Sequence, residues 1–314
     1  MNFDIFVRLK IFLKQIFSIN NFDNHLVVYF LGFRIRKKLK SPEIDLTLNK
    51  YGLNKTQRDV KITLSLTSYP KRINIVPNAL KTLLKQTLKP DNLVLWLSWE
   101  QFPNREDDLP KSLLDLKQYG LTIKWCKDIR SYKKLVPSLV EYPDDIIITV
   151  DDDIYYPFNL VEGLYLSYLK DKTVIHSNRI RRLKIKNGKI SSVNPAYHYW
   201  SSFDEPSFLN KITGSGGVLY PPHSLSDLAV RDDIFMKLIP TQDDVWFFAM
   251  ALLNNVKIKA VSGFQIQLPS IDEAGKTGLC KINKKNSGGI NSIDAVIKVA
   301  EKFPEIKEKL LSET

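Results

Sequence analysis

The sequence predicts an α/β protein built on a mostly parallel sheet flanked by helices, with a basic extension ahead of it. Three observations lead there. Between Ile62 and Val150 four short apolar runs alternate with helical patterns, as crossover connections between parallel strands require. The fourth run is apolar at every position, as expected of a strand covered on both faces. The composition, 44% hydrophobic and 25% charged over 314 residues, is that of a cored globular chain and excludes a largely disordered one.

Taken in order, residues 1–17 place Ile5, Phe6, Leu9, Phe12, Leu13, Ile16 and Phe17 at helical spacing among Arg8, Lys10 and Lys14. This pattern suits a basic amphipathic helix on a membrane surface, and equally a helix packed on its own protein. The apolar run Leu26–Leu31 leads into a basic run, Arg34–Lys40, which fits lipid phosphates or a solvated segment. Residues 41–58 read as a linker. The expected division is therefore a basic, membrane-associated segment over 1–58 and one α/β domain over 59–314.

Within that domain Ile62–Thr67 reads as the first strand, and Val76, Leu80, Leu83 and Leu84 mark a helical face with Pro77 in its first turn. Leu93–Leu97 is the second strand. Leu109, Leu113 and Leu116 mark a second helix, closed by Gly120. Leu121–Cys126 is the third strand, a helical pattern spans Tyr132–Val140, and Ile146–Val150 is the fourth strand. Beyond it, Leu160–Tyr168 reads as helix and Val174–His176 as strand. Asn187-Gly188 signals a type I′ hairpin. Val218–Tyr220 follows a glycine run as a strand, Asp243–Leu253 as a helix and Val256–Val261 as a strand, before a last helical stretch ending near Leu311.

The formal charge is +12, and residues 1–60 hold 11 Lys and Arg against 5 Asp and Glu. Such charge suits an anionic membrane, a phosphorylated substrate or a nucleic acid. No nucleic-acid recognition motif is present and the excess lies outside the sheet, so no nucleic-acid partner is expected. Cys126 and Cys280 are too far apart in sequence for a Cys-x-x-Cys site, which favours a reducing compartment. Arg8, Lys10 and Lys14 break any signal-peptide core, and no run reaches the roughly 20 apolar residues of a transmembrane helix. The expected location is cytoplasmic, soluble or peripheral on the inner face of the membrane.

The chemistry concentrates in Asp151-Asp152-Asp153, directly after the fourth strand. Ligands of parallel sheets bind outside the carboxyl ends of the strands. Adjacent carboxylates there repel one another, and a divalent cation relieves that repulsion. Mg2+ or Mn2+ takes one or two carboxylates and fills its shell with water and phosphate oxygens. Alternation of an extended chain puts Asp151 and Asp153 on one side as metal ligands, with Asp152 pointing elsewhere. An acidic surface turn is the alternative reading. Asp243-Asp244 opens a helix, where Thr241 and Asp244 also fit a capping box.

The order Leu64-Ser65-Leu66-Thr67-Ser68-Tyr69-Pro70-Lys71-Arg72, then Val150-Asp151-Asp152-Asp153, then Gly214-Ser215-Gly216-Gly217, then Asp243-Asp244 resembles a GT-A glycosyltransferase with its Asp-x-Asp motif. It is most similar to the exostosin-like transferases and related bacterial enzymes of surface-polysaccharide synthesis. The resemblance covers roughly residues 60–260. It implies a nucleotide-sugar donor, a glycan or lipid-linked acceptor, and Asp244, with Asp243 beside it, as catalytic carboxylate. It also implies donor contacts from Thr67, Ser68, Tyr69, Arg72, Arg130, Lys133, Asp151, Asp152, Gly216 and Gly217. Each has a plainer reading: a strand-to-loop transition, an exposed arginine, a glycine turn or a helix cap. His176, His198 and His223 are candidates for a further metal ligand, and Trp200 and Trp246 for stacking on a sugar. A sugar nucleotidyltransferase, a basic nucleic-acid-binding protein and an inactive scaffold are the alternative functions.

Overall fold

The computed structural model describes residues 17–22, 25–30, 33–38, 51–192, 205–261, 268–271 and 290–313. The chain first forms an antiparallel meander of β1 (Phe17–Phe22), β2 (His25–Phe30) and β3 (Phe33–Lys38). Most of the apolar run, residues 26–30, and of the basic run, residues 34–38, thus lies in paired strands. The expected helix over 1–17 lies outside the described residues, save that Phe17 begins β1.

Residues 51–58, read above as linker, are fastened to the body that follows. Gly52 donates its N–H to the Leu84 carbonyl at 3.1 Å, Asn54 to Pro90 at 2.8 Å, and Arg58 pairs with Asp91 at 2.8 Å. The body contains β4 (Ile62–Thr67), α1 (Val76–Leu84), β5 (Asn92–Ser98), α2 (Lys111–Leu114), β6 (Leu121–Cys126), α3 (Val136–Glu141) and β7 (Ile146–Thr149). The expected single helix around Leu113 is broken. Pro110 is extended, α2 lasts one turn, and a 3-10 turn runs to Gly120, whose φ of 106° ends it. The helix expected from Tyr132 likewise divides into a 3-10 turn, Arg130–Lys134, and α3, which has Pro137 in its first turn.

After α4 (Leu160–Lys170) come β8 (Ile175–Ser177), β9 (Ile180–Lys186), β10 (Lys189–Ser192), β11 (Asn210–Ile212), β12 (Val218–Tyr220), α5 (Asp232–Leu238), α6 (Asp243–Leu253), β13 (Ile258–Ala260), α7 (Ser292–Lys302) and α8 (Pro304–Leu311). Asn187 and Gly188 both have positive φ, 50° and 71°, and turn β9 into β10 as their sequence demands. The last helical stretch is two helices, because Pro304 starts α8 where it cannot continue α7.

Seven strands make the main sheet, in the order β13-β8-β12-β7-β4-β5-β6. All neighbours are parallel except β12, which is antiparallel to both β7 and β8. The chain winds outward from β4 through β5 to β6, then returns to place β7 on the other side of β4. That reversal is the topological switch point, where the carboxyl ends of two strands diverge and leave a crevice.

One face of the sheet packs Leu64, Leu93 and Ile148 against α1 and α4, through Leu80, Leu83 and Leu164. The other packs Ile147, Tyr220 and Ile258 against Trp246, Phe247 and Phe248 of α6, with α7 and α8 behind. Covered on both sides, the sheet exposes only its edges for chemistry.

Candidate active site

Three segments converge on the carboxyl edge at the switch point. The loop after β4 brings Ser68 and Arg72, and the loop after β7 brings Asp151, Asp152 and Asp153. Because β12 runs antiparallel, its amino end lies at the same edge: Val218 is the register partner of Thr149. The Gly214–Gly217 turn is thereby carried to the aspartates, and Gly214 reaches the start of α6.

The centre of this arrangement is Lys134. Its ammonium lies 3.2 Å from Asp151, 2.8 Å from Asp243 and 3.5 Å from Asp244. The Asp243 contact is an ion pair bent away from hydrogen-bond geometry, while Ser131 donates to the other Asp243 oxygen at 2.8 Å. Buried hydroxyls hold Lys134 in place. Ser65, inside β4, donates to the Lys134 carbonyl at 2.7 Å and meets Ser138 at 2.9 Å, which accepts from the Trp96 indole at 2.7 Å.

Burial alone would lower the Lys134 pKa. The charges of Asp151, Asp243 and Asp244 outweigh it and hold the ammonium well above the usual lysine range. Asp244 is pushed upward by burial but ends below the ordinary carboxylate range, through Lys134, Lys211 and the Gly214 N–H at 2.9 Å. Asp243 is raised, since its burial exceeds what Lys134 returns. The adjacent pair is therefore divided, with Asp244 ionised and partly open to solvent and Asp243 buried.

The capping box does not form. The residue preceding α6 is Gln242, no side chain caps that end, and the Asp244 carboxylate bonds to Gly214 instead. A Cβ on Gly214 would lie 2.6 Å from an Asp244 oxygen and 2.7 Å from the Lys134 ammonium. Gly214 is thus the glycine that admits the carboxylate. Gly216 packs against Arg179, and Gly217 has a φ of 88° and faces Leu160.

Asp152 acts inward. Ser68 donates to one of its oxygens at 2.6 Å and Arg72 to the other at 2.6 Å. Arg72 also reaches Asp153 at 2.9 Å and lies 5.8 Å from the Tyr69 ring. Its buried guanidinium serves the carboxylates rather than an open phosphate site, and the charges of Asp152 and Asp153 overcome its burial to raise its pKa. Thr67 donates to the Trp96 carbonyl at 2.8 Å, so its donor, like that of Ser68, is used within the fold. Lys133 is buried against Asp128 at 2.7 Å, while Arg130 is exposed with a φ of 55°.

Among the described residues no three His, Cys, Asp or Glu side chains form a closed metal cage. The site nevertheless fits a divalent cation. Asp151 and Asp153 keep 29% and 20% of their side-chain surface, and burial together with the Asp151 charge raises the Asp153 pKa to about 7 despite Arg72. Positive charge is short at this point, and two carboxylates plus phosphate oxygens satisfy Mg2+ or Mn2+.

Neither His176 nor His223 supplies a further ligand here. His176 is buried in β8 between Ser167 and the Asp171 carbonyl, and His223 pairs with Asp144 in solvent. Trp246 is core, its indole bonded to the Ala229 carbonyl at 3.1 Å. His198, Trp200 and Cys280 lie outside the described residues. Two buried residues escaped the sequence reading. Lys134 sits beside Lys133, and only the 3-10 turn separates their directions. Tyr156 accepts from the Asp151 N–H at 2.8 Å and donates to the Ser215 carbonyl at 3.3 Å, tying the aspartate loop to the glycine turn.

No family model matches the chain, and no curated protein matches it. Solved structures do. A mannosyltransferase from Pyrobaculum calidifontis, solved with GDP-Man and Mn2+, aligns at a TM-score of 0.51 and 14% identity over 82% of this chain and 72% of its own. The fold is GT-A-like. Residues 1–349 of TarS from S. aureus align at 0.46 and 13% identity over 80% and 71% of the two chains. The inositol-1-phosphate CTP transferase of T. maritima aligns at 0.41 and 12% identity over 73% and 99%.

Proposed function

We propose that this chain transfers a sugar from a nucleotide-sugar donor to a hydroxyl of a glycan or lipid-linked acceptor, with a divalent metal, in surface-polysaccharide synthesis. The observation that carries the reading is the Lys134 bridge. It joins Asp151, in the loop after β7, to Asp243-Asp244, about ninety positions later in sequence, at the edge where a parallel sheet binds its ligands.

In this reading Asp151 and Asp153 hold Mn2+ or Mg2+, which when bound stabilises negative charge on the departing diphosphate. Arg72 and Ser68 fix Asp152, and through it the loop that carries both metal ligands. Asp244, kept ionised by Lys134, Lys211 and the Gly214 N–H, accepts a hydrogen bond from the acceptor hydroxyl and takes its proton as that oxygen bonds the anomeric carbon and the bond from this carbon to the donor's phosphate oxygen breaks, releasing the nucleoside diphosphate. Asp243 anchors Lys134. Tyr69 and Arg130 remain the donor-contact residues with partly open side chains. The basic N-terminal segment places the site at a membrane carrying the acceptor.

The test is sugar release and transfer from a panel of UDP- and GDP-sugars with and without manganese. Wild-type protein is expected to act on at least one donor only with metal. Asp244→Asn is expected to bind that donor normally and transfer about 10²-fold or more slowly. Release of pyrophosphate from a nucleoside triphosphate and a sugar phosphate would replace this reading with a nucleotidyltransferase.

A further inference from the structure

Next to the segment that holds Asp244 lies a group of cations, of which only Lys211 bears on that carboxylate. Lys211 of β11 stands directly opposite Arg181 of β9 in the antiparallel register. Like charges in that position destabilise a ladder. Arg179, two residues before Arg181 on the same face, donates to the Ser215 hydroxyl at 3.2 Å, and its carbonyl accepts from Thr213 at 3.0 Å. Lys211 is only 4% exposed and its ammonium meets the Ile212 carbonyl at 2.9 Å. None of the three forms an ion pair among the described residues. Burial, joined by the charges of Arg181 and Arg179, brings the Lys211 pKa down to about 8 although Asp244 and Asp243 pull it up, and burial with the Arg179 charge lowers Arg181.

Asp244 and Asp243 offset part of the Lys211 charge without an ion pair, but no carboxylate among the described residues pairs with the half-buried Arg179 and Arg181 beside it, and an anion that joins these cations would relieve their repulsion. The strand that carries them reinforces the point, since residues 179–189 contain six Lys or Arg and no Asp or Glu. The place is also specific. β11 leads through Thr213 into Gly214, whose N–H holds Asp244. The ladder therefore abuts the carboxylate assigned to the acceptor hydroxyl, beyond β12 and away from the β4–β6 half of the sheet.

We propose that Arg179, Arg181 and Lys211 bind a phosphate group carried by the acceptor, so that the substrate hydroxyl is presented to Asp244 from a phosphorylated polyol or sugar. This rests on the transferase reading for the word acceptor, but the anion site stands on its own geometry. Phosphate of the donor is the other source of the same chemistry, and the two separate in a ternary-complex experiment.

The full chain is saturated with UDP or GDP and Mn2+, and glycerol 1-phosphate is titrated by calorimetry, with glycerol as the neutral control. Wild-type protein is expected to bind glycerol 1-phosphate on top of the nucleotide and to ignore glycerol. Arg181→Gln and Arg179→Gln, each melting as wild type does, are expected to weaken that binding about tenfold or more while nucleotide affinity stays the same. Competition between glycerol 1-phosphate and the nucleotide, or loss of nucleotide affinity in Arg181→Gln, overturns the acceptor assignment. Equal affinity of variants and wild type, or no binding by wild type, overturns the site, leaving Lys211 as a long-range partner of Asp244. If neither nucleotide binds but glycerol 1-phosphate does, in an Arg181-dependent way, the anion site holds and the transferase reading falls.

Discussion

Removing the Lys134 ammonium would leave Asp151, Asp243 and Asp244 to repel one another in a place with little water. Breaking a buried ion network by deleting one partner costs about 3–5 kcal/mol, because the stranded charges keep their desolvation. Lys134→Met is therefore expected to lose about 3 kcal/mol in urea unfolding, and Asp243→Asn in the same background should return part of it. A full additive loss in the double variant would show that the two groups are not coupled. Nothing in the composition distinguishes Lys134 from Lys133. The difference arises because Ser65 grips the Lys134 carbonyl while Lys133 turns to Asp128. Alternation at a strand end led the sequence reading to set Asp151 and Asp153 on one side, and both stay partly open, with the Asp151 charge acting on Asp153. The inward duty of Asp152 was not legible in sequence, because it depends on Arg72 from another loop.

At the scale of elements, β4, β5 and β7 were readable because each is buried on both faces and spells this in β-branched and apolar residues, while the edge strand β6, buried only at Leu121, was readable from its place in the alternation of strands and helices. The direction of β12 was not. A strand of three residues carries no signal of which way it runs, yet its reversal is what brings Gly214 to Asp244. Gly214→Ala should accordingly fold, with a change in melting temperature of a few degrees, but displace the Asp244 carboxylate that a Cβ would meet at 2.6 Å. Transfer is expected to fall at least tenfold with donor affinity kept; normal turnover would remove the glycine turn from the site. A second prediction belongs to β8 packed on α4. Burial of His176 lowers its pKa from 6.5 to about 4. The native state thus takes up its proton only after the unfolded state has done so. This contribution is whole above pH about 6.5 and is lost as pH falls toward 4, a change of about 3 kcal/mol. His176→Gln should flatten the wild-type decline in stability across that window. An unchanged slope would show that carboxylates alone govern it.

Across the whole molecule, the charged loops at the switch point are joined to one another by the ion pairs of Lys134 and Arg72. A ligand that supplies the missing positive charge together with phosphate oxygens should therefore stabilise the entire fold through that edge. The measurement is made on the full chain in buffer with mild detergent. Mn2+ with UDP or GDP at a hundredfold excess over its dissociation constant is expected to add about 2.7 kcal/mol, seen as a rise of a few degrees in melting temperature. EDTA should abolish the rise, and so should Asp153→Asn, because the nucleotide diphosphate alone brings further negative charge to three carboxylates already short of compensation. Asp152→Asn should behave differently. It releases Arg72 and Ser68 and lowers the melting temperature of the free protein, while the increment from metal and nucleotide persists in reduced form. Equal stabilisation by nucleotide with and without metal would end the metal assignment for Asp151 and Asp153.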